Sequence, residues 1–250
     1  MTQHSHTSDA TVPMDRLSAA DALRAYRLCR FDQPDRAYKL LEYAIQCGSL
    51  YAYLECGRFL RTTPGLSMTQ SERYLRCEKI LLELLNLLEV PHRLLAAGAL
   101  ELALLYDECL RRPAGALARY LQALRYGAKA DRKNLDRLRQ QLNRTDINKL
   151  ITTGVDALCL GHELALVGTA PRLTEFFLRE AVDIAAEEMS RKSTAAICRY
   201  GQAGLELADF YDQQLADSAG HASETYRMER DKLYAHARTH GYPEYLSRSR

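Results

Sequence analysis

Two histidines near the end of the chain have a spacing that suits metal binding. His236 and His240 stand four positions apart, so one face of a helix would carry both side chains. The sequence around them supplies no third ligand, because neither a helical Glu-His motif nor a cluster of Cys or Asp completes a site. We interpret both as polar residues on the outer face of a terminal hairpin, and we predict no metal and no cofactor.

Motifs for covalent or phosphate chemistry are missing from the chain. Nucleophilic catalysis requires a Ser or Cys beside an oriented base, and no nucleophile elbow, phosphate loop or glycine-rich dinucleotide turn occurs. The seven cysteines form no C-x-x-C pair and mostly occupy apolar helical positions, which predicts small buried side chains in a reducing compartment. We therefore predict no catalytic residue, and an enzyme assembled from distant hairpins remains an alternative.

The most uneven charge lies between Arg111 and Arg144, a window of ten basic and two acidic residues. Arginine suits recognition of a carboxylate or phosphate, because its planar fork can donate two parallel hydrogen bonds. We expect this window to contact an acidic partner surface; a solvated helix face and a nucleic-acid site are the alternatives. The predicted partner-binding residues lie on two successive helices: Arg119, Arg125, Arg132, Arg137 and Arg139.

Helices must position these residues, and the segment from Ala37 to Leu60 shows the helical pattern most clearly. Two apolar helical stripes are separated there by Gly48, and in the first of them the apolar residues recur at i, i+3, i+4 and i+7. Gly48 suits the left-handed position just beyond a helix, where glycine has no steric penalty. Gly57 lies inside the second helix, where glycine costs about 1 kcal/mol against alanine, so we expect a close helix approach there.

The small residues of this hairpin resemble those of the Sel1-like repeat, a relative of the tetratricopeptide repeat. At Leu60 that family usually has an aromatic residue. The resemblance implies an all-α fold, an α-solenoid of stacked antiparallel helical hairpins that binds other proteins. The positions that match are Ala37, Ala44, Gly48, Ala52 and Gly57.

An internal duplication extends the helical pattern along the chain. Residues 100–107 and 205–212 differ at only two of eight positions, and the helices before and after them agree in part. Repeats of this kind stack on one another rather than close around a single core. We expect Tyr106 and Tyr211 to occupy equivalent buried positions, the first of them on a helix from His92 to Leu110.

The breaks between these patterns predict the domain organisation. A first helix could begin near Asp15. We predict a disordered tail over residues 1–13 and a single helical array over 14–246, with similar halves at about 34–142 and 147–246.

Composition is typical of a folded helical protein. Hydrophobic residues make up 47% of the chain and charged residues 26%, with a net charge of +2 and no strand-like run of β-branched residues. The chain lacks both a signal-peptide pattern and the roughly 20 apolar residues that a membrane span requires, so we expect a soluble cytoplasmic protein. Of Tyr51 and Tyr53, which flank Ala52, we expect one to be exposed.

Three functional hypotheses fit these patterns. The leading one is a scaffold or adaptor that binds a partner protein in the groove of a helical repeat array. The second is a nucleic-acid-binding protein that uses the basic window on phosphates, against which stands the balanced net charge. The third is an enzyme with its site in the groove, which would require a convergent set of ionisable groups.

Overall fold

A computed structural model describes residues 17–129, 140, 153–168, 170–189, 194–217 and 222–239. Within these ranges the chain forms helices joined by short connections, with no strand, and consecutive helices pack as hairpins. The predicted all-α fold of stacked helical hairpins is confirmed. The α-helices are α1 (Ala19–Cys29), α2 (Pro34–Gln46), α3 (Leu50–Thr62), α4 (Gln70–Asn86), α5 (His92–Leu104), α6 (Pro113–Arg125), α7 (Gly154–Val167), α8 (Pro171–Met189), α9 (Thr194–Asp217) and α10 (Ala222–Thr239).

The chain divides into two compact units, Met1–Leu102 (unit 1) and Ala103–Arg250 (unit 2), and the boundary falls within α5. The tail predicted over 1–13 lies outside the described residues. So does most of the junction between the halves predicted at about 34–142 and 147–246, and that division stays a prediction. No helix among the described residues is long and apolar enough to cross a membrane.

Local sequence explains where the helices of unit 1 begin and end. The Ser18 side chain accepts a hydrogen bond from the Asp21 backbone N–H, so α1 begins at Ala19 rather than near Asp15. Thr69 and Glu72 form a reciprocal capping box at the start of α4. Gly48 has a φ of 82° just beyond α2, as expected for a glycine that ends a helix.

Two glycines let neighbouring helices approach closely, one in each unit. A Cβ added to Gly57 on α3 would lie 2.4 Å from Leu81 Cδ2 on α4. A Cβ added to Gly161 on α7 would lie 2.7 Å from Leu178 Cδ2 on α8. Real Cβ atoms do not come this close to another heavy atom. A side chain at either position would therefore force the neighbouring leucine to move, and glycine avoids this clash. The close approach expected at Gly57 is confirmed.

The helix predicted from His92 to Leu110 is interrupted. α5 ends at Leu104, and Leu105–Cys109 forms one turn of π-helix in which the Leu110 N–H donates to the Leu105 carbonyl at 3.0 Å. This wider turn buries Tyr106, and the Arg112 guanidinium lies 4.2 Å from the centre of the Tyr106 ring. The sequence could not predict the turn, because it adds one residue to the helix with no glycine or proline between Leu105 and Cys109 to mark it.

The core of unit 2 is built from α7, α8 and α9. Tyr211 is fully buried there and stacks on Tyr226 of α10, with ring centres 5.1 Å apart. Tyr106 is also buried, so both tyrosines of the duplicated stretch lie inside, as expected. The core cluster consists of Ala157, Leu158, Leu178, Ala181, Ala203, Leu207, Phe210 and Tyr211.

The exposure of two tyrosines agrees with expectation, whereas that of the cysteines differs in part. Tyr51 is exposed while Tyr53 is half-buried, which confirms that one of the pair faces water. The cysteines are less uniform than predicted. Cys56 and Cys77 are buried, but Cys47 is exposed because it follows the last residue of α2, beyond the apolar stripe. Cys198 on α9 is exposed as well.

Candidate partner-binding groove

Helices α6, α7 and α9 of unit 2 border a groove of about 490 Å³. We call it the unit 2 groove. Most of its lining residues carry a charged or hydrogen-bonding group, and two of the five arginines predicted to bind a partner are among them. The charged and hydrogen-bonding side chains at its walls are Arg119, Gln122, Arg125, His162, Glu163, Arg199, Gln202 and Glu206.

A buried ion pair fixes α6 against α7. The Arg112 guanidinium donates from Nη2 to Asp156 Oδ1 at 2.7 Å and from Nε to Oδ2 at 2.9 Å, and the Asp156 side chain is almost completely buried. A Cβ on Gly115 would lie 2.5 Å from Asp156 Oδ1, so this pair needs a glycine at the start of α6. Arg112 therefore fixes the start of α6 against α7 and does not line the groove.

Arg125 lines the groove but already has a carboxylate partner. Its Nε and Nη2 donate to the two carboxylate oxygens of Glu163 at 3.1 and 3.0 Å, and Glu163 is buried. This hydrogen bond to Glu163 raises the pKa of Arg125. The guanidinium also lies 4.6 Å from the centre of the Tyr126 ring. The Arg125 charge is thus largely compensated within the protein by Glu163. Removal of Arg125 would leave the buried Glu163 carboxylate without this partner.

Arg119 is held in the same groove by neutral acceptors. Its Nη1 donates to Gln122 Oε1 at 2.8 Å, and its Nη2 lies 3.6 Å from Cys159 Sγ. Among the described residues no carboxylate pairs with it. Burial raises the pKa of the Cys159 thiol, which keeps that sulfur neutral and leaves the Arg119 charge without an anionic neighbour in contact.

A histidine pairs with a glutamate where α7 meets α9. His162 Nδ1 lies 2.9 Å from Glu206 Oε2, and this hydrogen bond raises the pKa of His162. Unit 1 contains the equivalent pair between α3 and α5, where Arg58 Nε donates to Glu101 Oε1 at 2.8 Å. Arg58 directly follows Gly57, and His162 directly follows Gly161, so both cations start from the same position relative to a close-packed glycine.

The sequence contains a sign that these two pairs are equivalent. Glu101 and Glu206 occupy the same place in the duplicated stretch. Sequence reasoning nevertheless missed His162, since its glycine-histidine step on α7 was not aligned with the glycine-arginine step on α3. On the far wall of the groove, Arg199 donates to Glu188 of α8 at 2.6 Å.

The remaining predicted residues can be placed only in part. Arg132, Arg137 and Arg139 lie outside the described residues, and so does His240. His236 is a residue of α10. In the described part of the chain, no group of three His, Cys, Asp or Glu residues could hold a metal ion.

The unit 2 groove offers fixed hydrogen-bond donors to an anionic group. Arg119 can bind a new anionic partner without breaking an internal ion pair, whereas Arg125 and Arg199 each already pair with a carboxylate. Charge-assisted hydrogen bonds of this kind are shorter and stronger than neutral ones. Comparison of the chain with protein-family models, curated proteins and solved structures finds no match.

Proposed function

We propose that this protein is an interaction scaffold that binds a partner protein, through an acidic segment of that partner, in the unit 2 groove. One observation carries the proposal. Arg119 lies in the groove with no carboxylate partner among the described residues, although Arg125 and Arg199 beside it each have one. An acidic side chain of a partner would supply the missing anion.

Preorganisation supports this assignment of Arg119. The hydrogen bond to Gln122, one turn further along α6, restricts the guanidinium before any partner arrives. Less side-chain entropy is then lost on binding, which improves affinity without adding a contact. A hydrogen bond to a charged group contributes about 1.5–3 kcal/mol, enough for Arg119 to be a principal anchor.

We further propose that the hairpins are Sel1-like repeats and that Arg132, Arg137 and Arg139 extend the basic surface of the scaffold. The glycines at equivalent places on α3 and α7, each in close contact with the following helix, support the repeat assignment. The arginine assignment rests on the sequence, where these residues follow α6 and their window from Arg111 to Arg144 contains only two acidic residues.

Affinity capture with matched variants tests the proposal. Arg119→Ala should weaken capture of a partner by about tenfold or more, equivalent to about 1.4 kcal/mol. Arg227→Ala is the control, because Arg227 is exposed on α10 and does not line the groove. Arg119→Lys should retain part of the binding, since it keeps the charge but loses the fork.

Two results would contradict the proposal. Equal losses for Arg119→Ala and Arg227→Ala would mean that general positive charge, and not the groove, recruits the partner. Tighter binding to duplex DNA than to any protein at about 0.15 M salt, with the same dependence on Arg119, would favour the nucleic-acid hypothesis.

A further inference from the structure

A separate cavity of about 430 Å³ lies in unit 1, where the ends of α1 and α3 meet the start of α2. We call it the unit 1 cavity. Its lining combines apolar rings with two cations and one carboxylate. Phe31, Pro34, Phe59 and Pro64 supply the apolar part, and Arg30, Arg58 and Glu55 supply the charges.

Phe31 is an unusual residue at the mouth of this cavity, because its side chain is 80% exposed. The turn that carries it is well fixed: the Arg30 N–H donates to the Tyr26 carbonyl at 2.9 Å and the Gln33 N–H donates to the Cys29 carbonyl at 2.8 Å. The Arg30 guanidinium lies 4.5 Å from the centre of the Phe31 ring. One face of the ring therefore carries a cation, and the exposed remainder can accept an apolar group.

The charges of the unit 1 cavity leave one cation uncompensated. Glu55 accepts a hydrogen bond from Arg58 Nη1 at 3.1 Å, while Arg58 Nε donates to Glu101. Glu55, the one carboxylate in the lining of the cavity, is thus engaged by Arg58. The Arg30 Nε is buried with no hydrogen-bond partner among the described residues, and no described carboxylate pairs with this guanidinium. The mouth of the cavity is therefore apolar and positively charged at the same place.

We propose that the unit 1 cavity is a second binding site, for a peptide segment in which an aromatic side chain adjoins aspartate or glutamate. The aromatic side chain packs on Phe31 and the cavity wall, and the acidic one pairs with Arg30. Burial of a large apolar side chain and contact between two aromatic rings both favour binding. With one site in each unit, the chain can hold two segments at once, which goes beyond binding in the unit 2 groove.

Fluorescence polarisation of a labelled peptide tests this site in the full-length protein. The probe is Gly-Ser-Asp-Phe-Glu-Ser-Gly, and the expected dissociation constant is micromolar, as for a short peptide with one anchor. Phe31→Ala and Arg30→Gln should each weaken binding about tenfold. Leu28→Ala is the matched control, because Leu28 is also 80% exposed on α1 but does not line the cavity. All three variants should keep the wild-type melting temperature.

Altered probes identify the chemistry that is recognised. A peptide with Asn and Gln in place of the acids, and another with Ala in place of Phe, should each bind about tenfold more weakly. Phosphate at millimolar concentration should not displace the probe, because it offers no ring for Phe31. Arg119→Ala should leave probe affinity unchanged, which separates this site from the unit 2 groove.

The proposal is overturned by any of three results. These are an absence of saturable binding up to about 1 mM probe, equal losses for Leu28→Ala and Phe31→Ala, and abolition of binding by Arg119→Ala. The last result would assign the peptide to the unit 2 groove and would leave the proposed function standing. Loss of partner capture in Arg119→Ala with an intact peptide site would have the opposite meaning, so the two proposals fail separately.

Discussion

At the scale of single residues, Gly57 shows how a missing side chain can determine packing. The residue stands inside α3, buried against Leu81 of α4, and the Cys77 thiol lies 3.1 Å from its carbonyl oxygen. Leu81 is itself fully buried, so it has little room to move away. Glycine is retained at a cost in helix propensity because any Cβ would occupy space that Leu81 already fills.

Replacement of Gly57 should destabilise unit 1 in proportion to side-chain size. Overpacking typically costs about 1–3 kcal/mol, and alanine recovers about 1 kcal/mol of helix propensity, so Gly57→Leu should be clearly worse than Gly57→Ala. Urea denaturation followed by circular dichroism measures both variants. Leu81→Val in the Gly57→Ala background should restore part of the loss. Equal stability for glycine, alanine and leucine would mean that the contact with Leu81 does not constrain the helices.

Arg119 and Arg125 make a second point at this scale. They are the same residue type six positions apart on one helix, yet Arg125 is paired with buried Glu163 and Arg119 is not paired with any described carboxylate. Their contributions to the affinity for an acidic partner should differ accordingly, since a guanidinium already engaged in a bidentate pair gains little from a second anion.

At the scale of elements, each unit has a joint, by which we mean an ion pair that links two alternate helices. The two joints have the same arrangement but different cations. Arg58 on α3 pairs with Glu101 on α5, and His162 on α7 pairs with Glu206 on α9. Arginine keeps its charge at every physiological pH, whereas histidine does not. Within the physiological range of pH, the cation of the unit 1 pair therefore keeps its charge, whereas the cation of the unit 2 pair can lose it.

The stability of unit 2 should fall as the pH rises above 6.5, the ordinary pKa of histidine, and through the raised pKa of His162. The hydrogen bond to Glu206 raises the pKa of folded His162 above its ordinary value of 6.5. The contribution of the pair is therefore complete below pH 6.5 and is lost as the pH rises through the raised pKa. His162→Arg, which copies the unit 1 joint, should remove this dependence, and His162→Gln should lose the contribution at all pH values.

Urea unfolding at a series of pH values measures the effect, and NMR titration of the imidazole gives the pKa directly. A folded-state pKa below 6.5 would contradict the assignment of the His162–Glu206 contact. An identical pH profile for the wild type and His162→Arg would contradict it as well.

At the scale of the whole molecule, the basic residues of the Arg111 to Arg144 window should act through long-range attraction. Reversal of Arg132, Arg137 and Arg139 to Glu should slow association with an acidic partner and flatten its salt dependence. Thermal stability should stay nearly unchanged. Stopped-flow association at several salt concentrations measures the rates.

A second triple variant separates local from general charge. Reversal of the exposed Arg24, Arg27 and Arg227 to Glu changes the net charge by the same amount at other places. It should slow association less. Equal rates for the two triple variants would mean that net charge alone steers the partner, and loss of folding in the first would assign its arginines to internal ion pairs.

The all-α architecture could be predicted because it depends on local patterns. Apolar residues at helical spacing specify an amphipathic helix wherever they occur, and Gly48 ends α2 by its own freedom to adopt a positive φ. The close approach at Gly57 could be predicted for a similar reason, since a glycine inside a helix needs a compensating contact. The π-turn at Leu105–Cys109 could not, because no glycine or proline within it marks the change of hydrogen bonding.

The sequence by itself determined the helices, their breaks and the excess of arginine; only the tertiary structure decided which arginines are available. The residues that pair with Arg112 and Arg125 come from α7, 44 and 38 positions later in the chain. No local pattern specifies such a partner, because ion-pair geometry depends on which helix faces stack. The exposure of the Phe31 side chain also depends on the tertiary structure. It follows from the turn between α1 and α2 and from the cavity that α3 completes beside it.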